Sequence, residues 1–258
     1  MRFTEFLGII LLLFTAVYCA AQSQTLYDNF DSRFINPSLW NTVCSTSELS
    51  QECVIEIQDE HLRVARRVTG DTGSNNGTQY GEATAFFFNP LPIKSITADI
   101  VVRSIEESPC AANPQFGGHG DILARFFNAG NGTQSDDVGA TLFLGRAASD
   151  PKGQLTVAGN FFHNGDYSHF IWLGNVAMGT PVTATLTWDQ FNHRFLYSWT
   201  NKLTHVTTSG TLPYNFSDTT PPADPEKKLQ VEIFPANCTA KQTWVYADTL
   251  FGNVYVGQ

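Results

Sequence analysis

The sequence predicts an all-β fold, two antiparallel sheets packed face to face, and three observations predict it. Apolar and polar residues alternate with period two in run after run, the spacing that turns one side of a strand to a core and the other outward. Beyond the N-terminal leader no segment keeps helical periodicity for three turns. Clusters of Gly, Asn, Asp and Pro separate the runs, as turns between short strands require.

The leader comes first. Met1 and Arg2 precede a stretch from Phe6 to Val17 that is almost without polar side chains, and Ala20 and Ala21 follow. This reads as a secretory signal peptide over residues 1–21, leaving 22–258 as a single β-sandwich domain delivered outside the cell or to a periplasm. Tyr18, ahead of Cys19, argues against a lipoprotein, whose processing wants a small residue there. No later segment approaches the roughly 20 apolar residues of a membrane helix, so no membrane span is expected.

Strands are expected at 53–58, 61–67, 81–88, 96–104, 121–128, 138–146, 154–162, 229–234 and 250–256. The clearest pair begins with Val182-Thr183-Ala184-Thr185-Leu186-Thr187-Trp188, whose apolar members face inward while the threonines face out. Asp189-Gln190-Phe191-Asn192 turns the chain, and Phe195, Tyr197 and Trp199 then share one side of the return strand with His193. The stretch 213–227, with Pro221, Pro222 and Pro225, is unsuited to a central strand. Glu56-Ile57-Gln58-Asp59-Glu60 is expected to be a hairpin turn between 55–57 and 62–64, the lesser alternative being a catalytic strand whose carboxyls share one face, with Gln58 in place of its middle acid.

With Cys19 removed in the leader, four cysteines remain, an even number suited to an oxidising compartment. Cys44 with Cys53 and Cys110 with Cys238 is the economical pairing among three. The net charge of −9 offers a nucleic-acid duplex little attraction, so no nucleic-acid partner is expected. Sequons for N-glycosylation stand at Asn76, Asn131, Asn215 and Asn237, so the chain reads as a glycoprotein if its source cell performs that modification.

Leu26-Tyr27-Asp28-Asn29-Phe30-Asp31 followed by Ile35-Asn36-Pro37-Ser38-Leu39-Trp40 resembles the opening strand of the concanavalin A-like lectin/glucanase superfamily, which includes laminin G-like modules. The 186–197 hairpin resembles that superfamily's late strand pair, and 248–256 its closing strand, which returns beside the first. The resemblance implies an antiparallel two-sheet jelly-roll sandwich. It covers the two ends and one central hairpin and leaves activity open, because this architecture hosts lectins, binding modules, glycanases and lyases. It also suggests structural calcium near the paired first and last strands, held by Asp28, Asp31 and Asp248, although aspartates at strand ends are also ordinary turn residues.

Two clusters carry candidate ligand-binding chemistry. His119, Asp121 and Arg125 share strand parity and would project together, able to hydrogen-bond sugar hydroxyls or an acidic glycan's carboxylate; a solvated strand face with a local Asp121–Arg125 pair is the plainer alternative. His163, Asp166, Tyr167 and His169 flank a hairpin tip at Asn164-Gly165, near aromatic rings of the kind on which sugars stack, although Phe162, Phe170 and Trp172 also suit a core. The expected function is a secreted jelly-roll domain that binds an extracellular polysaccharide, glycan or other surface ligand. The alternatives are a glycoside hydrolase or polysaccharide lyase on the same face, with catalytic residues not identified, and a structural adhesion module. No serine-hydrolase, zincin or phosphate-loop motif is present.

Overall fold

The computed structural model describes residues 23–45 and 50–258. The leader lies outside the described residues. The strands, in chain order, are β1 Thr25–Asp28, β2 Trp40–Cys44, β3 Ser50–Gln58, β4 His61–Thr69, β5 Gly81–Phe87, β6 Ser95–Ser108, β7 Gly117–Asn128 and β8 Asp137–Ala147. They continue with β9 Gln154–His163, β10 Asp166–Ala177, β11 Val182–Asp189, β12 Arg194–Asn201, β13 Thr207–Pro213, β14 Lys227–Phe234 and β15 Trp244–Gly257.

These form the antiparallel two-sheet jelly-roll sandwich. An eight-stranded sheet runs β13-β12-β11-β6-β15-β4-β3, with β1 paired to β15, and a seven-stranded sheet runs β10-β9-β8-β7-β14-β5-β2. The closing strand does return beside the first: Leu26 lies opposite Tyr255.

The alternation builds the core. Val182, Ala184, Leu186 and Trp188 of β11, with Phe195, Tyr197 and Trp199 of β12, are buried against Leu142, Leu144, Leu229 and Val231 of the other sheet. Each large apolar side chain buried this way contributes about 1.5–3 kcal/mol. The polar tips of the aromatics find partners, as burial demands. The Tyr197 hydroxyl donates to the Asn160 carbonyl at 2.7 Å, Trp199 Nε1 to the Leu173 carbonyl at 3.1 Å, and Trp188 Nε1 to the Tyr214 hydroxyl at 2.7 Å.

Asp59 and Glu60 take positive φ (51° and 60°) at the β3–β4 turn, so Glu56-Ile57-Gln58-Asp59-Glu60 is a hairpin. Asn164 and Gly165 do the same at the β9–β10 turn (55° and 74°). Disulfides join Cys44 to Cys53 and Cys110 to Cys238. The second crosses 128 residues of sequence. Among the described residues no helix is long and apolar enough to cross a membrane. Of the sequons, Asn76, Asn131 and Asn215 are exposed, whereas Asn237 is buried. Its Oδ1 accepts from Asp71 N and Gln79 Nε2, and its Nδ2 donates to the Asn76 carbonyl, so the folded chain hides the nitrogen that a glycan would occupy.

Candidate functional site

The inner face of the seven-stranded sheet is apolar; its outer face carries the chemistry. In β14, Leu229, Val231 and Ile233 point to the core, so Lys228, Gln230 and Glu232 must point outward. In β7, Ile122 and Ala124 point inward, and His119, Asp121 and Arg125 outward. Register then assembles rows across the sheet. Glu82, Glu232, His119 and Gly145 stand side by side on β5, β14, β7 and β8. The next row runs Thr84, Gln230, Asp121, Phe143, Ala158 and Trp172.

At the centre, His119 Nε2 lies 3.0 Å from Glu232 Oε2 and 3.2 Å from Asp121 Oδ2. Gly145 makes this possible, since a Cβ there would sit 2.5 Å from the His119 Cβ. Asp121 is wholly buried despite its outward parity; Gln230 Nε2 donates to its Oδ2 at 3.2 Å, while its Oδ1 has no partner. The Tyr80 hydroxyl stands between two carboxylates, 2.8 Å from Glu232 Oε1 and also against Glu82 Oε2. Lys228 Nζ pairs with Glu82 at 3.2 Å and Glu226 at 2.7 Å.

These contacts set proton affinities. Burial by itself would depress His119, but hydrogen bonds and charge from Asp121 and Glu232 outweigh it and push its pKa up to about 10, so the imidazole is cationic at neutral pH. Burial pushes Asp121 upward against the pull of His119. Burial also works to raise Glu232, yet His119, Tyr80 and Lys228 hold it well below the usual carboxylate range. Glu82 is likewise held low, burial being outweighed by Lys228 and Thr84.

Aromatic rings flank this centre. Trp172 is 61% and Phe170 50% exposed, and Phe170 lies 6.1 Å from Phe143, whose ring is 5.2 Å from His119. Phe170 and Trp172 therefore take no core role, and Phe162, though buried, packs over Gly139 on this same outer face. His119, Phe143 and Phe170 border a cavity of about 380 Å³.

The structure brings together only part of the sequence-expected set. His119 and Asp121 meet. Arg125 shares their face, but four residues along a strand is about 13 Å, and its guanidinium pairs instead with Asp224 at 3.0 Å and Glu226 at 3.3 Å. The local Asp121–Arg125 pair does not form. His163 and His169 turn to the other side, His169 stacking on core Phe161 at 4.1 Å and His163 lying 4.7 Å from Phe216. Asp166 accepts from Ser168 N as a turn residue, and exposed Tyr167 rests 5.3 Å from Phe162. Glu232, Glu82, Tyr80, Gln230 and Lys228 are absent from the sequence-level set. The alternation Leu229-Gln230-Val231-Glu232-Ile233 was the visible signal for Gln230 and Glu232.

The calcium set does not assemble. Asp28 lies opposite Val254, whereas Asp248 lies opposite Ala65, six residues or about 20 Å along β15. Asp28 accepts from Trp40 Nε1 and Phe30 N, Asp31 is an exposed turn residue beside Asn29, and Asp248 is taken by Arg63 and Arg103. Residues so placed do not fit calcium, which needs six to eight converging oxygens.

No protein-family model and no characterised protein sequence matches the chain. Solved structures similar to it include lectin I from Ulex europaeus in complex with the methyl glycoside of α-L-fucose (13% identity over 90% of this chain and 97% of that one, TM-score 0.45). Winged bean acidic lectin complexed with methyl-α-D-galactose is another (10%, 92% and 99%, TM-score 0.47). A third is Scytalido-glutamic peptidase with a peptide-based transition-state analogue (11%, 65% and 72%, TM-score 0.41). Such likenesses carry no argument about ligand or activity; the two-sheet architecture rests on the strand order itself.

Proposed function

We propose that the chain is a secreted, single-domain glycan-binding protein whose outer seven-stranded face takes a neutral extracellular glycan. The observation that carries this is the exposed pair Phe170 and Trp172 on the same sheet face as a dense polar centre. An aromatic face packs against the apolar side of a sugar ring while polar groups fix its hydroxyls. A neutral ligand suits the charge. Arg125, Lys228 and His119 are each paired with carboxylates, and Glu82, Glu226 and Glu232 make the face acidic, which disfavours an acidic glycan.

One observation favours a glycoside hydrolase as the second reading. Glu82 and Glu232 lie opposite each other in register and share the Tyr80 hydroxyl, which sets their carboxyls near the about 5 Å spacing of retaining enzymes. Retention also needs one of the two protonated at working pH. Both are held below the usual carboxylate range, so binding without cleavage is the better-supported function.

A neutral-glycan array combined with a reducing-sugar assay on the mature chain separates the readings. Binding that falls at least about tenfold in Trp172→Ala, with no sugar released, is the expected outcome. Release of reducing ends, lost in Glu82→Gln, would establish the hydrolase instead. Neither binding nor release would remove both.

A further inference from the structure

We propose that His119, Asp121 and Glu232 form a binding site for a divalent transition-metal ion of the zinc type. The proposal is independent of the glycan reading.

The first ground is geometry. One donor atom from each of the three residues lies within 4.8 Å of the other two, and His119 Nε2 stands 3.0 and 3.2 Å from its carboxylate neighbours. Ligands around an ion bound at about 2.0–2.2 Å are spaced by about 3 Å, which the two imidazole–carboxylate separations match. All three donors sit on the adjacent strands β7 and β14, in positions fixed by the ladder.

The second ground is an excess of acceptors. His119 Nε2 has one proton to give and two carboxylate oxygens around it, and the Tyr80 hydroxyl is likewise a single donor between Glu82 and Glu232. Asp121 is fully buried, its Oδ2 turned into the triad and its Oδ1 without any partner. The single proton on His119 Nε2 is all that the two carboxylates share at this point, and a divalent ion that displaces it to solvent would bind Nε2 and neutralise both. The nearest ammonium, Lys228, is committed to Glu82 and Glu226.

The surroundings match what metal ligands need. Gln230 orients the Asp121 carboxylate and Tyr80 the Glu232 carboxylate, as outer partners of ligands do. His119 borders the 380 Å³ cavity, which leaves space for water or a ligand in the remaining coordination positions. Imidazole with two carboxylates suits zinc or manganese better than calcium, whose six to eight ligands are oxygens.

Zinc chloride titrated calorimetrically into the full, tag-free chain after dialysis against chelator tests this, with no sugar present. One ion per chain is expected, its affinity falling at least about tenfold in Glu232→Gln and further in His119→Ala. A cobalt(II) visible absorption band is expected in the wild type and absent from both variants, with circular dichroism confirming their folds. Should His119→Ala not fold, Glu232→Gln decides alone, since its side chain reaches the surface. No saturable zinc binding, or binding unchanged by the substitutions and therefore an adventitious ion only, would overturn the proposal.

Discussion

Lys227 shows how one residue can set a stability curve. It is 1% exposed, its Nζ donates to the Arg125 carbonyl at 2.9 Å and lies 5.1 Å from the Phe126 ring centroid, and among the described residues no carboxylate pairs with it. Burial pushes its pKa down to about 7. The unfolded chain therefore binds the proton more readily between pH 7 and about 10.4, and folding stability rises with pH across that window. Below pH 7 the penalty is complete. Lys227→Met should raise the melting temperature at pH 7 by an amount worth about 2–4 kcal/mol and change it little at pH 10.5. Thermal denaturation at the two pH values checks this, and equal effects at both would contradict the assignment.

The same scale shows what side-chain parity could and could not reveal. His119 and Asp121 were legible because residues two apart on a strand share a face. Glu232 was not, although its own alternation was visible, because its meeting with His119 spans 113 residues and depends on which strands become neighbours. The expected partner Arg125 failed for a local reason: its strand position is set by parity, but its charge was claimed by Asp224 and Glu226 from the proline-containing loop.

At the scale of elements, the strands with strong alternation were legible, edge strand β3 among them, and the edge strands β2 and β13 were not. The β11–β12 hairpin carries large apolar residues at every second position, and each of these is buried. Thr207-Thr208-Ser209-Gly210-Thr211-Leu212-Pro213 lacks that pattern yet forms β13, because an edge strand held by the β12 ladder needs little apolar surface of its own. β2 escaped for a similar reason: it pairs only with β5 at the other sheet's edge, and only Trp40 of its five residues is buried.

The two disulfides differ most in the chain they close. Cys44–Cys53 spans 9 residues and Cys110–Cys238 spans 128. In the chain-entropy model the first is worth about 2.5 kcal/mol and the second about 5 kcal/mol. Replacing Cys110 and Cys238 together by Ser should lower unfolding stability by roughly twice as much as replacing Cys44 and Cys53. Urea denaturation of the two double variants measures it, and equal losses would show that native-state contacts, not loop length, set the difference.

On the scale of the whole molecule, the two sheets divide the work. The eight-stranded sheet closes one side of the core, and the seven-stranded sheet closes the other while presenting His119, Asp121 and Glu232 outward between aromatic rings. Parity makes this division unavoidable: residues that bury Ile122, Leu229 and Val231 inward must send their neighbours out. Trp172 supplies a direct reporter, because Trp40, Trp188 and Trp199 are buried and the half-buried Trp244 belongs to β15 of the eight-stranded sheet, with the Arg67 guanidinium over its ring. Intrinsic fluorescence of the full chain titrated with neutral oligosaccharides is the most direct test of the glycan-binding face. The expected result is a saturable blue shift of the exposed tryptophan that disappears, together with binding, in Trp172→Ala; oligosaccharide binding that leaves the emission unshifted and survives Trp172→Ala would place the ligand elsewhere and contradict it.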